Sequence, residues 1–391
     1  MNKSSQKKLL NKLFQEKKSP SNSKFKFSLL NNGYNKNDLI EATNVLLSKN
    51  LTMGKKTREF EKFFAKKIGA KYSLMLNSGS SANLLAFFCI TNVLKKNKVP
   101  KNSECIIPAI CWSTTLWPIL QAGLKPVFAD VLPDQNIDPK QLEKLITKKT
   151  KAIMVVHLTG RSCDMKSIMK IANKNKIEVI EDCAQAFGTK YQSKYCGTFG
   201  SVGCFSTHPL KNFNAMGDGG FITTNNLKTY NLISKLRNHG LRSRDKADHF
   251  GYNSRLDNVQ AAVLNFRLKN IKKVFKKRRQ NADFYIRNLN KKFIFCPPEK
   301  KSEFNTYHLF VIQVSNREKL QRYLTRKGIT TYVHYPIPIH KQKMFKNKFS
   351  KSFLPVTEIQ SKNILSLPIH DGLTNKQLHY VVNSINNFFK K

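Results

Sequence analysis

The chain has 391 residues, 40% of them apolar, with 27 Phe, which supports a sizeable core and two domains and excludes wholesale disorder. Its formal charge of +45, from 69 Lys and Arg against 24 Asp and Glu, suggests a polyanion partner. However, the basic residues are mostly Lys, run along almost the whole chain with abundant Asn, and form no nucleic-acid motif, so no nucleic acid is expected as a partner.

The first residues, 1–24, read as a basic extension. Leu9, Leu10, Leu13 and Phe14 fit a short amphipathic helix, and "KKSPSNSK" after it reads as a link. The start has no long apolar segment and does not read as a secretory signal. The longest apolar run, "LLAFFCITNVL", is too short to span a bilayer, so no membrane is expected as a partner.

From about Phe25 strands and helices alternate. "YSLML" reads as a buried strand, and "NSGSSANLLAFFCITNVLKK" as turn and cap residues followed by a helix. "ECIIPAI", "KPVFADV", "KAIMVVHL" and "IEVIEDC" read as strands. Between them "STTLWPILQAG", "DPKQLEKLI" and "DMKSIMKIANKNK" read as helices. "GCFST" and "GGFITTN" follow as two more strands. This alternation indicates an α/β architecture with a mostly parallel sheet. Past Asp257 a long helical stretch leads to "YHLFVIQV", a helix from "REKLQRYLTRKG" and a C-terminal helix from "TNKQLHYVVNSINNFF". The expected division is a large domain over 25–265 and a smaller C-terminal α/β domain over 266–391, with the boundary inside the long helix. The eight cysteines stand singly, with no C-x-x-C pair and no His/Cys ligand spacing. No metal is expected, and reduced thiols in a cytoplasmic protein are the simplest reading.

Lys211 stands apart from the scattered lysines. It lies in "CFSTHPLKNFNAMGDGGFITTN", between a Ser/Thr/His cluster and the Gly219–Gly220 pair, which reads as a backbone turn. Such a lysine acts either as a phosphate contact or as a Schiff-base amine. The second use with pyridoxal phosphate (PLP) needs an acid at the ring nitrogen, an aromatic surface and a phosphate cradle. Asp182 ends an apolar strand, where open α/β sheets place ligands, although an Asp there also caps turns. Glu181 points to the other face by the two-residue alternation. "NSGSSAN" offers N–H groups at Ser80 and Ser81 and a helix dipole to a phosphate, although it also reads as an ordinary cap. Ser206 adds a hydroxyl. Trp112 suits stacking on a flat ring or filling the core.

Taken in order, these segments resemble the DegT/DnrJ/StrS-type sugar aminotransferases, from about Phe25 to the C-terminus. The resemblance rests on "LTMGKKTREFEKFFAKKIGAKY", "NSGSSANLLA", "VHLTGRSCDM", "VIEDCAQAFG", "FSTHPLKNFNAMGDGG", "LRNHG", "GYNSRLDNVQAA" and "SLPIHDGL". It implies the type I fold of PLP-dependent transferases, with a mostly parallel seven-stranded sheet in the large domain and a smaller C-terminal α/β domain. It also implies roles. Lys211 matches the Schiff-base lysine and Asp182 the partner of the pyridine nitrogen. Gln185 matches the neighbour of the ring hydroxyl, and Trp112 the stacking aromatic. Ser80, Ser81 and Ser206 match phosphate contacts. Asn253 matches an asparagine that reaches the phosphate across a dimer interface, which implies a homodimer with shared sites. The implied reaction moves an amino group, with glutamate as the expected donor, to a keto sugar that is most readily nucleotide-linked. "LTMGK" and "VHYPIPIH" are expected to select that sugar. A related branch consists of deoxysugar dehydratases with histidine in place of the lysine. The residue here is Lys211, and His208 three positions earlier reads as a loop or cofactor-side residue.

Overall fold

The computed structural model describes residues 27–29, 33–345 and 352–390, together with Ser4, Ser5, Lys8, Asn11 and Lys12. The helix expected from Leu9, Leu10, Leu13 and Phe14 lies outside the described residues. Seven short apolar runs form one sheet: β1 (Tyr72–Leu76), β2 (Glu104–Pro108), β3 (Lys125–Ala129), β4 (Thr150–Val156), β5 (Glu178–Asp182), β6 (Val202–Ser206) and β7 (Gly220–Thr224). The order is β1-β7-β6-β5-β4-β2-β3. Strands buried on both faces need no polar alternation, which is why these runs are almost continuously apolar.

All neighbouring pairs are parallel except those of β7, which runs antiparallel to β1 and β6. Its first residue, Gly220, therefore pairs with the last residues of β1 and β6, Leu76 and Ser206. This reversal gathers the carboxyl ends of six strands and the start of the seventh on one edge, where ligands of open α/β sheets bind.

The helices α1 (Lys36–Ser48), α2 (Lys55–Ile68), α3 (Gly79–Thr91), α4 (Ser113–Gln121), α5 (Pro139–Leu145), α6 (Met165–Lys174) and α7 (Leu227–Leu236) accompany the sheet. The 31-residue helix α8 (Asn258–Asn288) links two apolar cores. Its Leu264, Leu268, Ile271 and Phe275 join Phe60, Phe64, Phe187 and Phe205 against the large sheet. Its Ala282 and Tyr285 join a second core with Phe310, Leu320, Leu324 and Leu365. That second core lies among β8 (Phe310–Gln313), α9 (Arg317–Arg326), β9 (Ile364–Leu367) and α11 (Asn375–Phe388), with β8 and β9 paired antiparallel, whereas α10 (Pro355–Asn363) packs its Val356 against the core of the large sheet. Among the described residues, no helix is long and apolar enough to cross a membrane.

Candidate active site

A cavity of about 360 Å³ opens at the carboxyl edge of the sheet, lined by Ser80, Trp112, Asp182, Gln185, Ser206 and Lys211 among others. Three further cavities, of about 410, 450 and 540 Å³, are larger. None of them is lined by Asp182, Trp112 or Ser80, so volume alone does not locate the chemistry.

Asp182 is the last residue of β5 and is 5% exposed. Its Oδ2 accepts hydrogen bonds from Thr115 Oγ1 (2.7 Å) and Asn83 Nδ2 (3.1 Å), and its Oδ1 accepts from the Ala184 N–H (3.0 Å). All three of these partners are donors, so the carboxylate is held as an acceptor. Lys211 sits on the loop after β6, its N–H donating to the His208 carbonyl (2.8 Å). The residue is half-buried because it faces the cavity, yet the protein around it desolvates the amine. Burial pushes the Lys211 amine down to about 8, and the attraction of Asp182 offsets part of that effect.

The β1–α3 turn forms one lip of the cavity. The Ser78 side chain caps α3, accepting from the Ser81 N–H (3.0 Å) and donating to Ser81 Oγ (3.0 Å). The Ala82 N–H is taken by the Ser78 carbonyl (3.1 Å). The Ser81 amide expected to be free is thus used by the cap, and Ser81 is not among the lining residues. Gly79 and Ser80 keep their places at the lip, on the positive end of the helix. A Cβ on Gly79 would lie 2.7 Å from Ser206 Cβ, and one on Gly220 2.4 Å from the Ser78 carbonyl carbon. Gly219 and Gly220 do not have left-handed backbone. Their glycine character serves close approach rather than the turn expected from sequence, since a Cβ on Gly219 would meet Thr207 Oγ1 at 2.4 Å.

Gln185 is held at both ends. Its Oε1 accepts from the Thr159 N–H (2.7 Å), and its Nε2 donates to Tyr335 Oη (2.7 Å). Thr159 itself adopts left-handed backbone (φ 59°). Trp112 is 62% exposed at the start of α4 and borders the cavity. Asn253 is exposed, accepts from Arg255 Nε (3.1 Å) and does not line the cavity of its own chain. Within this chain the "LTMGK" loop is also absent from the lining, whereas His334 and Tyr335 of "VHYPIPIH" are part of it.

Sequence reasoning did not single out Thr115, Asn83 or His308. They come from α4, α3 and the segment before β8, so no local pattern marks them. His308 is 4% exposed and lines the cavity. Burial, and then the charge of Lys211, holds its imidazole well below the usual histidine range. The same two causes take His334 down to about 4. Burial raises the Tyr335 phenol. His308, His334 and Tyr335 are therefore neutral cavity-lining groups near neutral pH.

The family model for the DegT/DnrJ/EryC1/StrS aminotransferases matches residues 33–386. The chain belongs to this family. It is 37% identical over 339 residues to a dTDP-3-amino-3,6-dideoxy-alpha-D-galactopyranose transaminase of Aneurinibacillus thermoaerophilus, spanning 86% of this chain and 91% of that one. Among solved structures, S. venezuelae DesV in complex with a ketimine intermediate superposes with a TM-score of 0.86 at 30% identity, covering 91% and 95% of the two chains. The E. coli GDP-4-keto-6-deoxy-D-mannose-3-dehydratase with bound hydrated PLP also reaches 0.86, at 27% identity and 92% and 99% coverage. The sequence-based expectations of family, fold type and cofactor are borne out.

The residues present fit PLP. A lysine amine with lowered proton affinity, a buried carboxylate held by donors, an exposed indole and a helix N-terminus converge on one cavity. The glycines at positions 79 and 220 stand where a Cβ would crowd that lip.

Proposed function

We propose that this enzyme transfers an amino group from glutamate to a nucleotide-linked keto-deoxysugar. The observation that carries the reading is Lys211 and Asp182 lining one cavity, with Asp182 held by Thr115, Asn83 and the Ala184 amide. Bound there, PLP supplies a carbonyl for an amine and an electron sink for a carbanion. Asp182 holds a proton at the pyridine nitrogen. Lys211, once free, takes the proton from the donor Cα and returns it as acid, a task suited to an amine brought near the working pH. Gln185 and Trp112 orient the ring, and Ser80 and Ser206 hold the phosphate. Ser81 contributes through the Ser78 cap. His334 and Tyr335 face the substrate side and help select the sugar.

Asn253 completes a neighbouring site in a homodimer; its exposure and its absence from the cavity of its own chain support that assignment. Sedimentation should find an even assembly, and full activity in a strict monomer rules the shared site out. The two apolar cores support a division within α8, but the change of core falls between Phe275 and Ala282, later than the expected 265/266. The eight unpaired cysteines, seven of them buried, support a reducing, cytoplasmic setting.

The second reading is a dehydratase, favoured by the likeness to the E. coli dehydratase. Lys211 favours nitrogen transfer instead, since the resemblance implies histidine at this position in the dehydratases. Glutamate alone should convert the bound cofactor to its aminated form with release of 2-oxoglutarate. A keto sugar should then restore the starting absorbance and yield an amino sugar. Loss of water from a keto-deoxysugar with no nitrogen transfer establishes the dehydratase instead.

A further inference from the structure

We propose that Arg267 is a positioning residue for Lys211. It clamps the loop that carries the lysine to the N-terminus of α1, and the assignment rests on Lys211 being the cofactor lysine. The loop is closed on itself by Ala215 N–H to the Thr207 carbonyl (2.8 Å) and by Asn214 Nδ2 to the Pro209 carbonyl (2.6 Å). On the sheet side it is anchored by Phe213, which is 1% exposed and stacks on Phe187 at 4.2 Å. Its other side meets the cavity of about 540 Å³, which Lys211, Asn214, Arg267 and Asp38 all border. Asn212 Nδ2, donating to the Thr306 carbonyl (3.1 Å), and the Met216 N–H, donating to Gln260 Oε1 (2.8 Å), hold the loop on either side of Asn214.

Arg267 bridges the other side. Its Nη1 donates to the Asn214 carbonyl (2.8 Å) and to Asn214 Oδ1. Its Nε and Nη2 donate to Asp38 Oδ1 (3.0 Å) and Oδ2 (2.7 Å). Each partner is itself oriented. Asn214 Nδ2 is committed to Pro209, which turns its Oδ1 toward the guanidinium. Asp38 is fully buried and also accepts from the Asn35 N–H (2.8 Å) in the cap of α1. A planar fork that grips a carboxylate with one edge and a loop with a corner has fixed geometry, which an ammonium on a flexible stem lacks. Asn214 is three residues from Lys211, so a shift of the clamp changes where the amine points and how it is solvated.

The test uses the full chain, with and without PLP. Arg267→Met combined with Asp38→Asn removes the clamp without leaving a buried unpaired charge. Asn214→Ala removes the side-chain part of the loop end together with its bond to Pro209, and leaves the Asn214 carbonyl contact and the Arg267–Asp38 pair. In ligand-free protein both variants should show amide exchange about tenfold faster over residues 207–216, with residues 178–182 unchanged. With PLP loaded, the pH midpoint of the lysine-bound cofactor absorbance should move by about half a unit or more. Arg267→Lys should fail to restore loop protection. Unchanged exchange over 207–216 in the double variant overturns the proposal, as does full protection in Arg267→Lys. Exchange that rises equally over 178–182 makes Arg267 merely structural and also overturns it. If wild-type Lys211 takes up no PLP, the functional reading fails, while the ligand-free exchange still decides the clamp.

Discussion

Glu181 and Asp182 are adjacent carboxylates on β5, both buried, and they do opposite things. Glu181 faces away from the cavity and accepts four hydrogen bonds, from the N–H groups of Gly197 (2.7 Å), Phe199 (2.8 Å) and Gly200 (2.7 Å) and from His157 Nε2 (3.0 Å). His157 Nδ1 accepts the Cys163 N–H (3.0 Å), so the imidazole proton must lie on Nε2 and point at Glu181. In the buried His157–Glu181–Cys183 group, the His157 and Glu181 lone pairs are thus committed to backbone N–H groups and to each other. Glu181 is a staple for the turn that leads into β6. Asp182 faces the cavity and is held by side chains that leave it open to a ligand. The alternation of one strand separates a carboxylate bound by backbone N–H groups from one that faces the cavity, and burial alone does not tell them apart.

That contrast can be broken by substitution. Asp182→Asn should lower turnover on the order of 10²- to 10³-fold, the scale of losing one preorganised partner in a reaction site. Its thermal midpoint should stay near that of the wild type, and a large drop there makes Asp182 structural. Glu181→Ala should do the reverse, destabilising the fold by about 3–5 kcal/mol because it strips a buried hydrogen-bonded charge from its partners. Denaturant unfolding reads that loss, and turnover per folded molecule should change little. Thr115→Val should sharpen the comparison by costing about tenfold in turnover, the scale of one hydrogen bond to a charged acceptor. An unaffected rate would mean that Asn83 and the Ala184 amide hold Asp182 without it.

The smallest effect is on pH dependence. The free Lys211 amine, at about 8, should react with an aldehyde at a rate that falls as pH drops below that value and levels above it. Its folded affinity for the proton is lower than its unfolded one. Between about 8 and the ordinary lysine value the unfolded chain holds a proton that the folded one has released. Stability from this group therefore rises with pH in that window and is constant below it. A reaction rate still climbing well past this range means that the amine is not desolvated.

Much of this was readable from sequence because local rules carry it. The seven strands are short apolar runs, and Asp182, Lys211 and the Ser80 turn lie next to strand ends, where sheet geometry places ligands. The misses arise where tertiary structure decides. Thr115 and Asn83 are 67 and 99 positions from Asp182 and meet it only once α3 and α4 pack beside β5. The sequence reading does not single out helices α1, α2, α7 and α10 or strand β9. Strand β9 acquires its meaning only from pairing with β8. The Ser81 amide looked free because the competing cap, Ser78, is an equally ordinary serine. The glycines at 219 and 220 read as a turn, whereas the Ser78–Gly79 backbone requires Gly220 and the Thr207 side chain requires Gly219.

The account turns on which amine holds the cofactor. Borohydride treatment of the PLP-loaded protein, followed by peptide mass mapping, should abolish the absorbance of the lysine-bound cofactor and leave a reduced pyridoxyl adduct on Lys211. An adduct on a different lysine, or no uptake of PLP at all, would contradict it.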